Sequence, residues 1–418
     1  MATKQSKNGE NINNFTIIKD GTITSVPGFY AAACHCGIKS SKKPDICIIY
    51  TPEDSICSGV YTKNKFCAAP VQVTKETLKK SKSIKAIVVN SGVANACTGK
   101  TGYGNAKKTI DIAAKYLNTD CGSIIVSSTG VIGKQLPMDK IEYGIKECSS
   151  KLSSNGGHDA AKAILTTDLQ TKEIAVSFNA RDGEDIIIGG IAKGSGMIEP
   201  DMATLLVFIT TNIGISKSLL DEILHEETDK SFNSITIDGC QSTNDMVVVM
   251  ANAQSSVFLK DKNSKYYDDF KNAFSYVMKD LAKKIVLDGE GATKLIKIKV
   301  INAKDIADAR TLAFKVANSN LFKCAMFGQD LNWGRINAAL GSAAGCDFDS
   351  DKVKIYFDDI LIVENGMGVE FDKVEVKNLM KERELNFTID LNYGDKSFEV
   401  LTADLSFDYI KINALYRT

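Results

Sequence analysis

The segment Lys193-Gly194-Ser195-Gly196-Met197-Ile198-Glu199-Pro200-Asp201-Met202-Ala203-Thr204 constrains this chain more than any other. Glycines and a proline bend the backbone, and the apolar run Leu205 to Thr210 follows without a spacer. Such a run reads as a strand buried on both faces, so Thr204 should head a core strand straight out of a turn. A threonine hydroxyl placed there can attack the carbonyl carbon of the residue before it and form an ester. Hydrolysis of that ester leaves a chain beginning at Thr204, whose α-amine, with a pKa of ~7.7 to 8.0, can take the hydroxyl proton. Ala203-Thr204 therefore reads as a bond the polypeptide cuts itself; a plain glycine-rich turn is the other reading of the same string.

With 418 residues the chain is long enough for two or three domains and an ample core. Lys+Arg 51 balance Asp+Glu 51, which argues against nucleic acid or an anionic membrane as partner and favours small molecules. Apolar runs such as Ile186 to Ile188 and Val247 to Met250 are far short of the roughly 20 residues of a membrane span. Met1 to Asn14 is polar and lysine-bearing, so export is unsupported and a frayed cytoplasmic tail is expected.

Eleven cysteines raise the question of metal or disulfides. Only Cys34-His35-Cys36 is tightly clustered, and strand alternation would send its cysteines to one face and the histidine to the other. No second pair with zinc spacing follows, so no metal is expected and most cysteines should be reduced core residues. The three histidines, His35, His158 and His225, stand in no nucleophile-base pattern. That favours a nucleophile carrying its own base.

Strands and helices alternate along the chain. Tyr50 to Val73, Ile84 to Asn90 and Ser123 to Ser127 have strand character, and Lys107 to Leu117 has helical spacing. A glycine-bounded turn, Ser128 to Gly133, precedes Pro137 and a further helix. Ser216 or Ser218 can cap a helix to about Glu226, and Asp245 to Ala251 forms a strand. From about Lys265 a helix places Phe270, Phe274, Val277, Leu281 and Ile285 on one core-facing side. The final third returns to strands, including Lys352 to Phe357 and Leu385 to Leu391, and ends in Tyr409 to Thr418. Mixed α and β with layered sheets, an α+β class, is the consistent reading.

Two glycine loops could serve an anion. Ser91 to Thr101 looks like a phosphate loop, but the glycine needed five residues before Gly99 is replaced by Ala94, with Gly92 two residues too early. In Thr129-Gly130 a hydroxyl and an adjacent unhindered N–H can converge on one developing negative charge.

The string around Thr204 closely resembles the self-cleavage segment of the ornithine acetyltransferases, the bifunctional glutamate N-acetyltransferases of arginine biosynthesis. Further stretches fall in that family's order: Asn64 to Val71, Asn90-Ser91-Gly92, Asn95 to Gly99, Ser127 to Gly133, Thr166-Thr167-Asp168, Asp238-Gly239, Ser242 to Asp245, Gly289 to Lys294, Asn332 to Ile336 and Tyr416-Arg417-Thr418. Coverage runs from about Gly28 to the last residue. Departures are Glu199 and Asp201, where His and Asn are usual, and Cys240-Gln241, where Asp-Thr is common.

The resemblance implies a layered α/β/β/α self-processing fold of the aminopeptidase and ornithine acetyltransferase type, with a smaller C-terminal α+β domain at approximately 300–418. Cleavage at Ala203-Thr204 would give chains 1–203 and 204–418. It further implies Thr204 as the nucleophile, Thr129 and Gly130 as the oxyanion hole, and Thr167, Lys193, Thr204, Glu290, Asn413 and Thr418 as substrate contacts. The activity implied is movement of acetyl from N2-acetylornithine to glutamate through an acetyl-Thr204 intermediate. No resident cofactor is expected; acetyl-CoA is a candidate co-substrate, and an α2β2 assembly of two cleaved copies is the expected oligomer. A self-processing aminopeptidase or amidase, which hands the acyl group to water, is the rival.

Overall fold

Alternating burial decides the layers of this molecule, a computed structural model that describes residues 11–12, 14–180, 183–199 and 205–415. In the strand Leu206–Thr211, Val207 and Ile209 pack with the helices Lys217–Asp229 and Tyr267–Leu287, while Leu206 and Phe208 point the other way. Met246–Ala251 repeats the pattern: Val247 and Val249 face the helices, Met246, Val248 and Met250 the opposite side. That opposite side meets Cys47, Ile49, Ile87, Val89 and Ile125 from a second set of strands. Their neighbours Ile46, Ile48, Ala86, Val88, Ile124 and Val126 turn outward onto the helices Gly99–Leu117 and Met138–Ser149. Both faces of every central strand are thus apolar, and the period of two yields helices, sheet, sheet, helices, the α/β/β/α order.

One long strand joins the two sheets. Ile46–Tyr61 has 16 residues; residues 46–50 pair with Tyr30–Cys34 and Ile84–Val93, and residues 56–61 pair antiparallel with Met246–Ala251. A register shift between Tyr50 and Ser55, around Pro52, lets the strand turn from one layer into the other. Among the described residues ten strands join in this way, nine along one continuous hydrogen-bonded path and Tyr30–Cys34 paired beside it.

The expected strand from Tyr50 to Val73 is corrected in its second half, because Ala69–Lys80 is a helix with a proline in its first turn. Proline there surrenders an N–H that had no helical partner anyway. The expected turn Ser128 to Gly133 is corrected too: Ile124–Val131 continues as strand through Thr129 and Gly130. The helix expected from about Lys265 spans Tyr267–Leu287, and Phe270, Phe274, Val277, Leu281 and Ile285 are all fully buried, each contributing about 1.5–3 kcal/mol.

A seven-stranded sheet follows, centred on Leu295–Ala303 between Lys396–Ala403 and Glu384–Asp390. It has its own core of Ile296, Ile298, Val300, Leu312, Phe322, Phe357 and Phe387. Ile235-Thr236 adds to its edge by pairing with Leu401-Thr402, which docks this sheet against the first layers. The segment after Ala403 is thereby returned to the front of the molecule, where Phe407–Leu415 is a helix and not the end of a strand series. Among the described residues no helix is long and apolar enough to cross a membrane.

Candidate active site

Strand ends, several loops and the helix Phe407–Leu415 meet at one open cleft of about 720 Å³, a volume that includes its solvent-open mouth. Its lining includes Thr129, Gly130, Thr166, Thr167, Lys193, Asp238, Glu290 and Asn413. Six positions singled out from the sequence, Thr129, Gly130, Thr167, Lys193, Glu290 and Asn413, therefore share one cavity. Ala203, Thr204 and Thr418 lie outside the described residues.

The parallel pairing of Ile84–Val93 with Ile124–Val131 puts Gly130 opposite Gly92. Gly130 has φ +125°, and a Cβ there would lie 2.4 Å from the carbonyl carbon of Gly92. Only glycine lets the two strand ends approach so closely. Asn244 fixes the arrangement from below, since its amide donates to the Ser128 C=O at 2.8 Å and the Ala94 C=O at 2.7 Å. Its own Oδ1 accepts from Thr243 Oγ1 at 2.6 Å.

On the opposite wall the Gly194 to Ile198 turn is held by carboxylates. Asp238 accepts the Met197 and Ile198 amides at 2.6 and 2.9 Å and the Tyr409 hydroxyl at 3.2 Å. Burial, with Asp238 beside it, pushes the Tyr409 hydroxyl upward. Gly196 leaves room for Glu290, whose Cδ would sit 2.5 Å from a Cβ at that position. Glu290 in turn accepts from Asn413 Nδ2 at 2.8 Å.

Lys193 ends the strand Asp185–Lys193 and is buried, with Nζ 3.8 Å from Asp168 Oδ2. Asp168 also accepts from Lys172 Nζ at 2.7 Å, the Gly194 N–H at 2.8 Å and the Thr166 N–H at 3.1 Å. Burial raises the Asp168 carboxyl, but Lys193 and Lys172 outweigh it and hold the group well below the usual carboxylate range. Burial pulls the Lys193 ammonium below its ordinary value, against the opposing pull of Asp168. Lys172 lies between Asp168 and Asp288, the latter at 2.5 Å, so one buried carboxylate, two buried ammoniums and the half-buried Asp288 form a charge cluster behind the cleft.

The strand that follows the Ala203-Thr204 bond starts beside this cleft. Leu205 N–H donates to Asp245 Oδ1 at 2.8 Å, and Met246 N–H to the Leu205 C=O at 3.1 Å. Sequence reading gave no role to Asp168, Asp238, Asn244 or Asp245, although each lies in a quoted stretch; a carboxylate or amide bonding to main chain has no periodic signature. Cys240, one of the departures, lines the cleft, and Glu199, another, accepts from Asn318 Nδ2 at 3.2 Å.

Away from the cleft, the strand Tyr30–Cys34 ends before His35, so the expected alternation through Cys36 does not occur. Asp45 captures the turn, accepting the Cys36 N–H at 2.7 Å and the Lys39 N–H at 2.9 Å. Among the described residues no cluster of three or more His, Cys, Asp or Glu is placed to hold a metal ion.

The family model described as the ArgJ family matches residues 30–418. The arginine biosynthesis bifunctional protein ArgJ of Caldanaerobacter subterraneus subsp. tengcongensis is 45% identical over 405 residues, covering 96% of this chain and 100% of that relative. Its counterpart from Streptococcus thermophilus is 46% identical over 403 residues, covering 96% and 99%. A solved chain described as the ornithine acetyltransferase of Mycobacterium tuberculosis complexed with ornithine is 34% identical, covers 44% of this chain and 98% of its own, and has a TM-score of 0.42. A model running from Tyr30 to the last residue and relatives alike over nearly their full length lead to one conclusion: the chain belongs to the ArgJ family.

Proposed function

We propose that the chain cuts itself at Ala203-Thr204 and then moves acetyl from N2-acetylornithine to glutamate through an ester on Thr204. As a member of the ArgJ family it is an acyltransferase of arginine biosynthesis. In the proposed cycle Thr204 Oγ attacks the acetyl carbonyl, its own α-amine takes the proton, and Thr129 with the Gly130 N–H stabilises the tetrahedral oxyanion. Ornithine departs, glutamate enters the same cleft, and its amine collects the acetyl group. Glu290 offers a carboxylate to the substrate ammonium, while Lys193, Thr167, Asn413 and Thr418 supply donors for carboxylate and amide.

The observation that carries this reading is the convergence of Thr129-Gly130, Lys193 and Glu290 on one cleft, at whose edge Asp245 anchors Leu205, the residue bonded to Thr204. No resident cofactor is required, because Thr204 holds the acyl group itself. Acetyl-CoA loading the same threonine is the second activity we propose, in keeping with relatives described as bifunctional. The working form would be two cleaved copies in the cytoplasm.

Initial-rate kinetics test the cycle. Parallel lines in double-reciprocal plots for acetylornithine and glutamate, with no acetate released when glutamate is absent, are expected. Intersecting lines would remove the acyl-enzyme, and steady acetate release would favour the amidase.

A further inference from the structure

Self-cleavage poses a chemical problem that the finished enzyme does not have. Before the cut, the Thr204 nitrogen is an amide and cannot serve as base, so another group must take the hydroxyl proton. Resting on the reading above, we propose that Asp245 is the base that drives the cut, with its Oδ2 accepting the Thr204 hydroxyl proton.

The geometry around Leu205 singles this group out. Asp245 is fully buried, and its Oδ1 accepts the N–H of Leu205, one covalent bond from the Thr204 carbonyl. Its Oδ2 is buried and takes no direct hydrogen bond of ordinary geometry among the described residues, although the Ser242 and Thr62 hydroxyls stand close enough to favour its charged form. A buried carboxyl oxygen without a direct partner is costly, and its retention calls for a role. Nearby carboxylates lack that freedom: Asp168 and Asp238 have both oxygens engaged, and Glu290 reaches over Gly196 to Asn413. None of the three histidines lines the cleft.

Burial raises the Asp245 pKa well above the usual carboxylate range, the direction that makes a carboxylate a stronger base. The Leu205 N–H, the hydroxyls of Ser242 and Thr62 and the charge of Lys193 act in the opposite sense. The Asp245 charge in turn helps burial raise the Cys67 thiol, which stands ahead of the helix Ala69–Lys80.

The step balances without an external reagent other than water. Thr204 Oγ gives its proton to Asp245 Oδ2 and bonds to the Ala203 carbonyl carbon. The Ala203-Thr204 C–N bond then breaks, and the departing nitrogen takes the proton back from Asp245. Water hydrolyses the resulting ester, leaving a carboxylate on Ala203 and a free hydroxyl and amine on Thr204.

Freshly translated full-length chain, chased at a series of pH values and resolved on a denaturing gel, tests this. Asp245→Asn keeps an acceptor for the Leu205 N–H but removes the base. It should fold, as judged by circular dichroism, and cut about 10²-fold or more slowly. Wild-type cutting should rise with pH to a plateau, whereas the Asp245→Asn rate should lack the plateau and keep climbing, about tenfold per pH unit, as hydroxide takes over. Wild-type speed in Asp245→Asn, or a slow cut with the wild-type profile, would overturn the proposal. If the variant does not fold, the wild-type profile decides: a rise to a plateau supports an ionising base, and a flat rate from about pH 5 to about pH 9 overturns it. A wild-type chain that never cuts would refute the self-processing reading itself, a different outcome.

Discussion

Glu290 Oε2 accepts from Asn413 Nδ2 at 2.8 Å, joining residues 123 apart in the chain. The contact pulls the helix Phe407–Leu415 over the cleft and sets the carboxylate that we assign to the substrate ammonium. Glu290→Gln keeps an acceptor for Asn413 and removes the charge. It should raise KM by roughly 10- to 100-fold, the worth of about 1.5–3 kcal/mol for a charged hydrogen bond. Steady-state kinetics with both substrates would check this; an unchanged KM would move the ammonium site elsewhere.

Gly130 faces Gly92 with no space for a side chain. Gly130→Ala should push the strand ends apart and lower turnover by about 10²-fold or more through loss of the oxyanion donor. Thr129→Ala should lower turnover comparably while KM moves little. Unaltered turnover in either variant would take that residue out of the oxyanion hole.

Asn244 satisfies two buried carbonyls, those of Ala94 and Ser128. Asn244→Ala leaves both unpaired, at about 1–3 kcal/mol each, and loosens the strand end that carries Thr129. A lowered melting temperature together with reduced turnover is expected. A drop in neither would show that water replaces the amide.

Asp168 sits between Lys193 and Lys172 with its folded pKa depressed. A depressed carboxyl contributes stability that is present above its unfolded pKa of ~3.9 and is lost as pH falls toward and through the folded value. Asp168→Asn should cost about 3–5 kcal/mol near neutral pH, because two buried ammoniums lose a counter-charge. Denaturant unfolding should show the gap between the two proteins narrowing in acid below about pH 4. A gap that stays constant into acid would mean that Asp168 carries no net charge coupling.

Much of the scaffold was legible because burial leaves a period. Leu205 to Thr210 and Met246 to Ala251 read as strands because both of their faces are covered, and Phe270 to Ile285 read as a helix from its stripe. Val71 and Val73 misled, since alternating β-branched residues imitate a strand where Pro70 in fact opens a helix. The bend in Ile46–Tyr61 was hidden because which sheet each half joins depends on partner strands remote in the sequence. In the site, Thr129-Gly130 was suggested by its own chemistry, whereas Lys193 and Glu290 were found through resemblance, as residues scattered in sequence carry no local sign of meeting. Asp245 escaped because an aspartate ahead of an apolar run is an ordinary strand boundary. Its meaning depends on which amide it meets, and Leu205 lies forty residues away in the chain.

Mass spectrometry of the protein after incubation with N2-acetylornithine alone bears most directly on the account. The chain beginning at Thr204 should be heavier by one acetyl group, the label should map to Thr204, and added glutamate should remove it as N-acetylglutamate. An unlabelled Thr204 chain during active turnover, or acetyl carried on another residue, would contradict the account.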